Sequence, residues 1–186
     1  MDATLFLGVD QSLNGTGLCL LDASGLPVHL ETVRPGHLRS VGRLAFVKSA
    51  VETVLSPNVK FVGIESYAYH SVGRVFELGE IGGVLRLLLH ETRHTYIDIN
   101  PKSLKKFATR NAAADKEAMV KAALAEGARV NDDNQADAFF LAMIARHIHT
   151  GIAPSTRARM EVVYKLQNPP VKKPARRIRT LVKNAL

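Results

Sequence analysis

Two short apolar runs in this sequence each stop at an acidic residue. Leu5-Phe6-Leu7-Gly8-Val9 ends at Asp10, and Phe61-Val62-Gly63-Ile64 ends at Glu65. Runs this short and this uniformly apolar suit strands buried on both faces better than helices. An acid directly after such a strand sits at the edge of the core, where its charge needs a partner. The rest of the chain supplies elements to build around these two strands. Gly15 and Gly17 bracket Thr16 in a turn leading into a second strand, Leu18–Leu21. Asp22-Ala23-Ser24-Gly25 has turn chemistry, and Val28–Val33 follows as a third strand. Two hairpins in succession make a three-stranded antiparallel meander.

From Ser40, Leu44, Val47, Val51, Val54 and Leu55 keep helical spacing until Pro57 stops the pattern. A long helical pattern spans about residues 72–93, Thr95–Ile99 reads as a fifth strand, and Pro101 is placed to open a helix. A helix from Asp115 ends near Gly127, a C-cap glycine, and the last one runs from about Asp133 to Thr150. This order predicts an α/β fold. Its mixed five-stranded sheet has an antiparallel meander, then parallel strands, and is flanked by helices.

The acids then fall at element ends: Asp10, Glu65, and the group Asp132-Asp133 with Asp137 on the last helix. If the first and fourth strands are neighbours, Asp10 and Glu65 come close together. Asp133 and Asp137 are four apart and share a helix face. Each has a plainer reading, since Asp10 can open an Asx turn with Ser12 or Asn14, and Asp132 or Asp133 can cap a helix. Converging carboxylates repel unless a cation neutralises them, and oxygen ligands favour a hard cation such as Mg²⁺. Two such ions roughly 4 Å apart activate water and stabilise the leaving oxygen in phosphodiester hydrolysis.

Charge is unevenly distributed. Residues 1–150 hold 16 Lys+Arg and 16 Asp+Glu, whereas residues 151–186 hold 9 basic residues and only Glu161. This divides the chain into a neutral domain, 1–150, and a basic C-terminal tail, 151–186, expected to be extended or loosely ordered. Lys172, Lys173, Arg176, Arg177 and Arg179 lie in a proline-containing stretch suited to duplex phosphates. The alternatives are a solubilising terminus, or a packed strand or helix using Val162, Val163, Tyr164 and Leu166. Lys102, Lys105, Lys106 and Arg110 form a basic helix face, phosphate-binding or merely solvated. Tyr67 and Tyr69 follow Glu65 and either stack on a base or pack on the fold.

Cys19 is the only cysteine, which excludes an internal disulfide and a cysteine-rich zinc site, and its apolar neighbours suggest a buried hydrophobe. The histidines lack zinc-like spacing, and His147 and His149 read as surface or dipole-complementing residues. No apolar run approaches a membrane span, and the first residues lack a basic signal region, so the expected setting is cytoplasmic.

Several stretches resemble RuvC-type Holliday-junction resolvases. Leu7-Gly8-Val9-Asp10-Gln11-Ser12-Leu13-Asn14-Gly15-Thr16-Gly17 is similar to the family's opening strand and turn, and Val62-Gly63-Ile64-Glu65 to its second acidic strand. Leu78-Gly79-Glu80-Ile81-Gly82-Gly83-Val84 looks like the helix whose glycines permit close packing, and Gln135-Ala136-Asp137-Ala138 like the last motif. The spacing from Asn100 to Met119 carries the family's two functional lysines onto Lys105 and Lys116. The resemblance spans about residues 4–148.

It implies an RNase H-like fold and a homodimeric, Mg²⁺-dependent crossover-junction endodeoxyribonuclease acting on branched DNA. Two ions per site are implied, with Mn²⁺ able to substitute. Asp10, Glu65, Asp133 and Asp137 would be metal ligands, Lys105 and Lys116 catalytic, and Tyr67 and Tyr69 would reach into the junction. The family usually places its fourth acid three residues before the last, and here that position holds Asn134. Asp133 is the nearest substitute, with Asp132 behind it. Such altered patterns are similar to those of phage-encoded relatives, so the expected source is a bacterium or phage-infected cell. The long helix over residues 72–93 is the expected dimer element, through Phe76, Ile81, Val84, Leu85, Leu88 and Leu89.

Other readings stay open at this point. One is a flap, fork or single-strand nuclease of the same fold; another is a catalytically silent junction- or RNA-binding domain. The ATPase and sugar-kinase branch of the fold needs a duplicated domain and a second phosphate loop, for which 186 residues leave no room.

Overall fold

In the computed structural model, residues 4–66 and 74–170 are described. The initial meander forms as the alternation and turns dictate: β1 (Leu5–Asp10), β2 (Thr16–Leu21) and β3 (Pro27–Val33) pair antiparallel. After α1 (Ser40–Val54), β4 (Val59–Glu65) pairs with β1, and after α2 (Val75–Glu91), β5 (Tyr96–Ile99) pairs with β4, both in parallel. The sheet order is β3-β2-β1-β4-β5. Parallel pairing of the first and fourth strands puts Asp10 and Glu65 at the same end of adjacent strands, as the sequence suggested.

Four more helices complete the described chain: α3 (Pro101–Thr109), α4 (Lys116–Ala125), α5 (Asp133–Thr150) and α6 (Arg157–Gln167). Asn100 and Asp115 cap α3 and α4 by accepting the backbone N–H of Ser103 and Ala118, each at 2.9 Å. Gly127 follows α4 with φ 85°, the left-handed turn expected of a helix-ending glycine.

The sheet divides two cores. Leu7, Val9, Val62 and Ile64 pack with α1 and α2, while Phe6, Cys19 and Ile99 pack with α5 and the helices beyond it. Side chains alternate along a strand, so Gly8 and Asp10 share the α5 face of β1, as Gly63 and Glu65 share that face of β4. Gly8 and Gly63 are register partners. A Cβ on Gly8 would stand 1.9 Å from Ala138 O, one on Gly63 2.3 Å from Leu141 O, and one on Gly17 2.0 Å from Asn134 O. The stripe Asn134, Ala138, Leu141 of α5 therefore lies directly on strand backbone, at a separation that only glycine permits.

On α2, Gly79 and Gly83 have no neighbour within 4 Å of an added Cβ, while Gly82 between them is buried. Two expectations need correction. On α2, Ile81, Leu85, Leu88 and Leu89 are core residues and cannot form a dimer surface; the exposed apolar side chains there are Val75, Phe76 and Leu87. The stretch from residue 151 is not extended throughout. Residues 157–167 form α6, which buries Val162 and Val163 in the α5-side core, while Tyr164 stays exposed.

Arg159 explains why α6 docks. Its buried guanidinium donates to Phe107 O at 3.1 Å and to Glu126 Oε1 at 2.7 Å, and lies 5.0 Å from the Phe107 ring centroid. His147 likewise is buried, with Nδ1 2.8 Å from Ile152 O, and burial holds its pKa below the usual value. It is a neutral core residue, not a surface cation complementing a dipole. Cys19 is buried, and burial pushes its thiol pKa far up, as befits an inert hydrophobe.

Candidate active site

Asp10 closes β1, Glu65 closes β4, and Asp137 faces both from the first two turns of α5. Burial raises the Asp10 pKa well above the carboxylate range, and Glu65, Asp137 and Asp133 push it further. Asp10 and Glu65 share a side-chain hydrogen bond, which requires one of them to hold a proton. Burial also raises Glu65, opposed by that hydrogen bond and by Lys105. Asp137 is pushed up to about 7, first by burial, then by Glu65 and Asp133. Its Oδ1 is buried without a hydrogen-bond partner among the described residues. Three carboxylates taken out of water and turned toward one another are a poor arrangement for stability alone.

The three consecutive residues at the start of α5 take different tasks. Asp132 is the N-cap: it accepts the Gln135 N–H at 2.9 Å and the Thr32 hydroxyl at 2.8 Å, and pairs with Arg34 at 2.6 Å. Its carboxylate is engaged by the fold on all these sides. Asp133 is free of capping and forms a 2.6 Å ion pair with Lys116 of α4. With its amide turned to satisfy both neighbours, Asn134 donates to Asp10 Oδ2 at 3.3 Å and Gly15 O at 3.0 Å. Asn134 thus ties Asp10 to the turn before β2.

The basic residues divide as well. Lys105 lies close enough to the acids to lower the pKa of both Glu65 and Asp137. Lys116 is exposed, and its pKa is raised by the hydrogen bond and charge of Asp133, with Asp137 and Asp10 adding to this. Lys106 instead pairs with Glu161 of α6 at 2.8 Å. Lys102 and Arg110 are exposed, Arg110 ending α3 in a left-handed conformation with φ 66°. Tyr67, Tyr69, Lys172, Lys173, Arg176, Arg177 and Arg179 lie outside the described residues.

One residue at this end of the sheet carries no motif. Arg86 of α2 reaches past the strand ends, pairs with Asp98 of β5, and donates to Gly82 O at 2.8 Å, Glu65 O at 3.3 Å and Gln11 Oε1 at 3.4 Å. Gln11 in turn donates to Glu65 O at 2.9 Å. The only sequence signal for it was an arginine inside an apolar helix pattern.

The donor set is carboxylate oxygen throughout, with an orphaned oxygen on Asp137, and this suits a hard divalent cation. Among the described residues, no three acidic, histidine or cysteine side chains already enclose a single point tightly enough to form a finished cage.

The family model described as crossover junction endodeoxyribonuclease RuvC matches residues 6–145. No curated protein matches the chain by sequence. Among solved structures, the Thermus thermophilus RuvC structure is similar at a TM-score of 0.66 and 19% identity, covering 79% of this chain and 96% of its own. T. thermophilus RuvC in complex with a Holliday junction substrate is similar at 0.63 and 15% identity, covering 80% and 96% respectively.

Proposed function

The chain belongs to the RuvC family of crossover junction endodeoxyribonucleases, metal-dependent nucleases that resolve Holliday junctions, and we propose how its own residues carry out that cut. Asp10, Glu65 and Asp137 hold the divalent cations, with Asp133 as the fourth carboxylate. The observation that carries this reading is the meeting of buried Asp10 with half-buried Glu65 and Asp137, all with raised pKa values, from β1, β4 and α5. Mg²⁺ is the physiological ion, two per site, and Mn²⁺ substitutes. When bound, the ions supply an activated water and stabilise the leaving oxygen.

The protein's part is placement and charge. Lys105, beside Glu65 and Asp137, and Lys116, beside Asp133, supply positive charge where the phosphate gains negative charge in the transition state. Tyr67 and Tyr69 stack on bases next to the cut. Lys102, Lys106 and Arg110 touch phosphates of the arms, as do Lys172, Lys173, Arg176, Arg177 and Arg179 of the tail. Residues 168–186 carry six Lys and Arg and no acid, which suits counterion release from duplex DNA.

A four-way junction cut symmetrically needs two sites related by a two-fold axis, so the working form is a homodimer. The outer face of α2 supports that reading: Phe76 is 90% exposed and Leu87 55%, an apolar stripe that water would not leave uncovered without reason. Light scattering of wild type and Phe76→Glu tests the dimer. The function is tested by incubating the protein with a synthetic four-way junction, a fork and a linear duplex, with Mg²⁺ or with EDTA. Paired symmetric nicks in the junction, dependent on Mg²⁺, are expected; equal cutting of the fork would move the assignment to a broader branch nuclease.

A further inference from the structure

The carboxylates of the site hang from strand ends, so whatever fixes the strand ends fixes the spacing of the metal ligands. The three ends lie side by side: Gln11 follows Asp10 on β1, Glu65 closes β4, and Asp98 lies one residue from the end of β5. On the α5 face these strands present Asp10 and Glu65. On the opposite face, Gln11 and Asp98 point toward α2 by the alternation of the strands. A single guanidinium reaches all three ends from that face. Arg86 Nε and Nη2 both bind Asp98 Oδ1, Nη2 also donates to Glu65 O at 3.3 Å, and Nη1 donates to Gln11 Oε1 at 3.4 Å. Gln11 closes the ring by donating to Glu65 O at 2.9 Å, so the Glu65 carbonyl accepts from both sides.

We infer that Arg86 is a positioning residue for the metal centre, its fork joining β1, β4 and β5 behind the Asp10 and Glu65 carboxylates and setting the divalent-cation affinity of the site. Arg86 itself is largely out of solvent, its side chain being 14% exposed. The need for such a tie is electrostatic. To take up a cation both carboxylates must be ionised, and ionised carboxylates on neighbouring strand ends repel, a force that acts to splay β1 from β4. The planar fork of arginine suits the task, since its donors diverge at fixed angles toward three acceptors, which a lysine ammonium cannot span at once. Asp98 matters in the same way: it pairs with the guanidinium and neutralises it, so the tie behind the ligands does not repel the cation in front of them. Groups that orient ligands from behind typically alter metal affinity by about 10–100-fold.

This inference rests on Asp10 and Glu65 holding a cation, and the experiment separates the two claims. Mn²⁺ is titrated into the full chain by calorimetry, with wild type, Arg86→Lys, Arg86→Gln and Gln11→Leu, and four-way-junction binding is measured in EDTA. Wild type that takes up no Mn²⁺ overturns the metal-centre reading, and this inference with it. Where wild type binds, Arg86→Gln should weaken Mn²⁺ about tenfold or more, with Arg86→Lys between them and metal-free junction binding unchanged. Arg86→Gln that binds Mn²⁺ within twofold of wild type overturns the inference alone. Should Arg86→Gln fail to fold, Gln11→Leu decides, because it cuts half of the ring without stranding a buried charge: a several-fold loss supports the tie, and wild-type affinity overturns it.

Discussion

Lys116 Nζ stands 2.6 Å from Asp133 Oδ2, joining α4 to the first turn of α5 beside the carboxylates of the site. The pair is on the surface, with the Lys116 side chain 82% exposed, so it stabilises the fold by only ~0.2–1 kcal/mol. A large effect on cutting would therefore report the site. Asp133→Asn and Lys116→Met should each slow single-turnover cleavage of a junction about tenfold or more, with little change in Tm. The double variant should be no slower than the worse single one, because the two act as a unit. Fully multiplying losses would mean that they act apart.

Asn134 stands where the family usually has an acid, and here it donates to Asp10 and Gly15. Asn134→Ala should reduce cleavage less than Asp133→Asn does. Asn134→Asp should add a carboxylate against Asp10, lowering the metal-free Tm while tightening Mn²⁺ binding. Cleavage lost to Asn134→Ala but spared by Asp133→Asn would make Asn134 the ligand.

The pKa of Asp137, raised from 3.8 to about 7, sets a pH dependence with a definite sign. Between those values the folded state keeps a proton that the unfolded chain has released. Stability of the metal-free protein therefore falls as pH rises through about 4 to 7, by on the order of a few kcal/mol for this group. Asp10 and Glu65 are raised too and act in the same direction. Melting in EDTA should give a lower Tm at pH 8 than at pH 5, and Mg²⁺ should restore the loss at pH 8. Asp137→Asn should flatten the slope. A steeper fall in that variant would contradict the assignment.

Gly63 is required by the seating of α5, since a Cβ there would meet Leu141 O at 2.3 Å. Backbone cannot step aside as a side-chain tip can. Gly63→Ala should cost at least ~1–3 kcal/mol, seen as a Tm drop of several degrees. Gly83→Ala, with open space around it, should leave Tm unchanged or slightly raised.

Two truncations separate the folded part of the C-terminal region from the charged remainder. Ending the chain after Gly151 removes α6, and with it Arg159, Val162 and Val163, so the protein should lose several kcal/mol or fail to fold. Ending it after Pro170 should leave Tm and cut positions unchanged. It should also lower the salt dependence of duplex-arm binding by ~0.9 in log–log slope for each phosphate contact removed. An unchanged slope would mean that residues 171–186 do not bind DNA.

Element order and the acids at element ends were legible because they depend on local rules. A short apolar run makes a strand, 3.6-residue spacing makes a helix, and an acid after either lies at its end. That was enough to bring Asp10, Glu65 and Asp137 into one hypothesis, and Lys105 and Lys116 joined it through family spacing. What residues distant in sequence do to one another was not legible. Asp132 and Asp133 are chemically identical neighbours, and only Thr32 and Arg34 on one side and Lys116 on the other decide which caps and which faces the site. The apolar side chains of α2 could not be sorted into core and surface before its rotation on the sheet was known. Likewise α6 looked like tail until Phe107 and Glu126 gave Arg159 its partners. Arg86 is the clearest case. Apart from Gly82 O on its own helix, its acceptors come from the ends of three strands that only parallel pairing sets side by side.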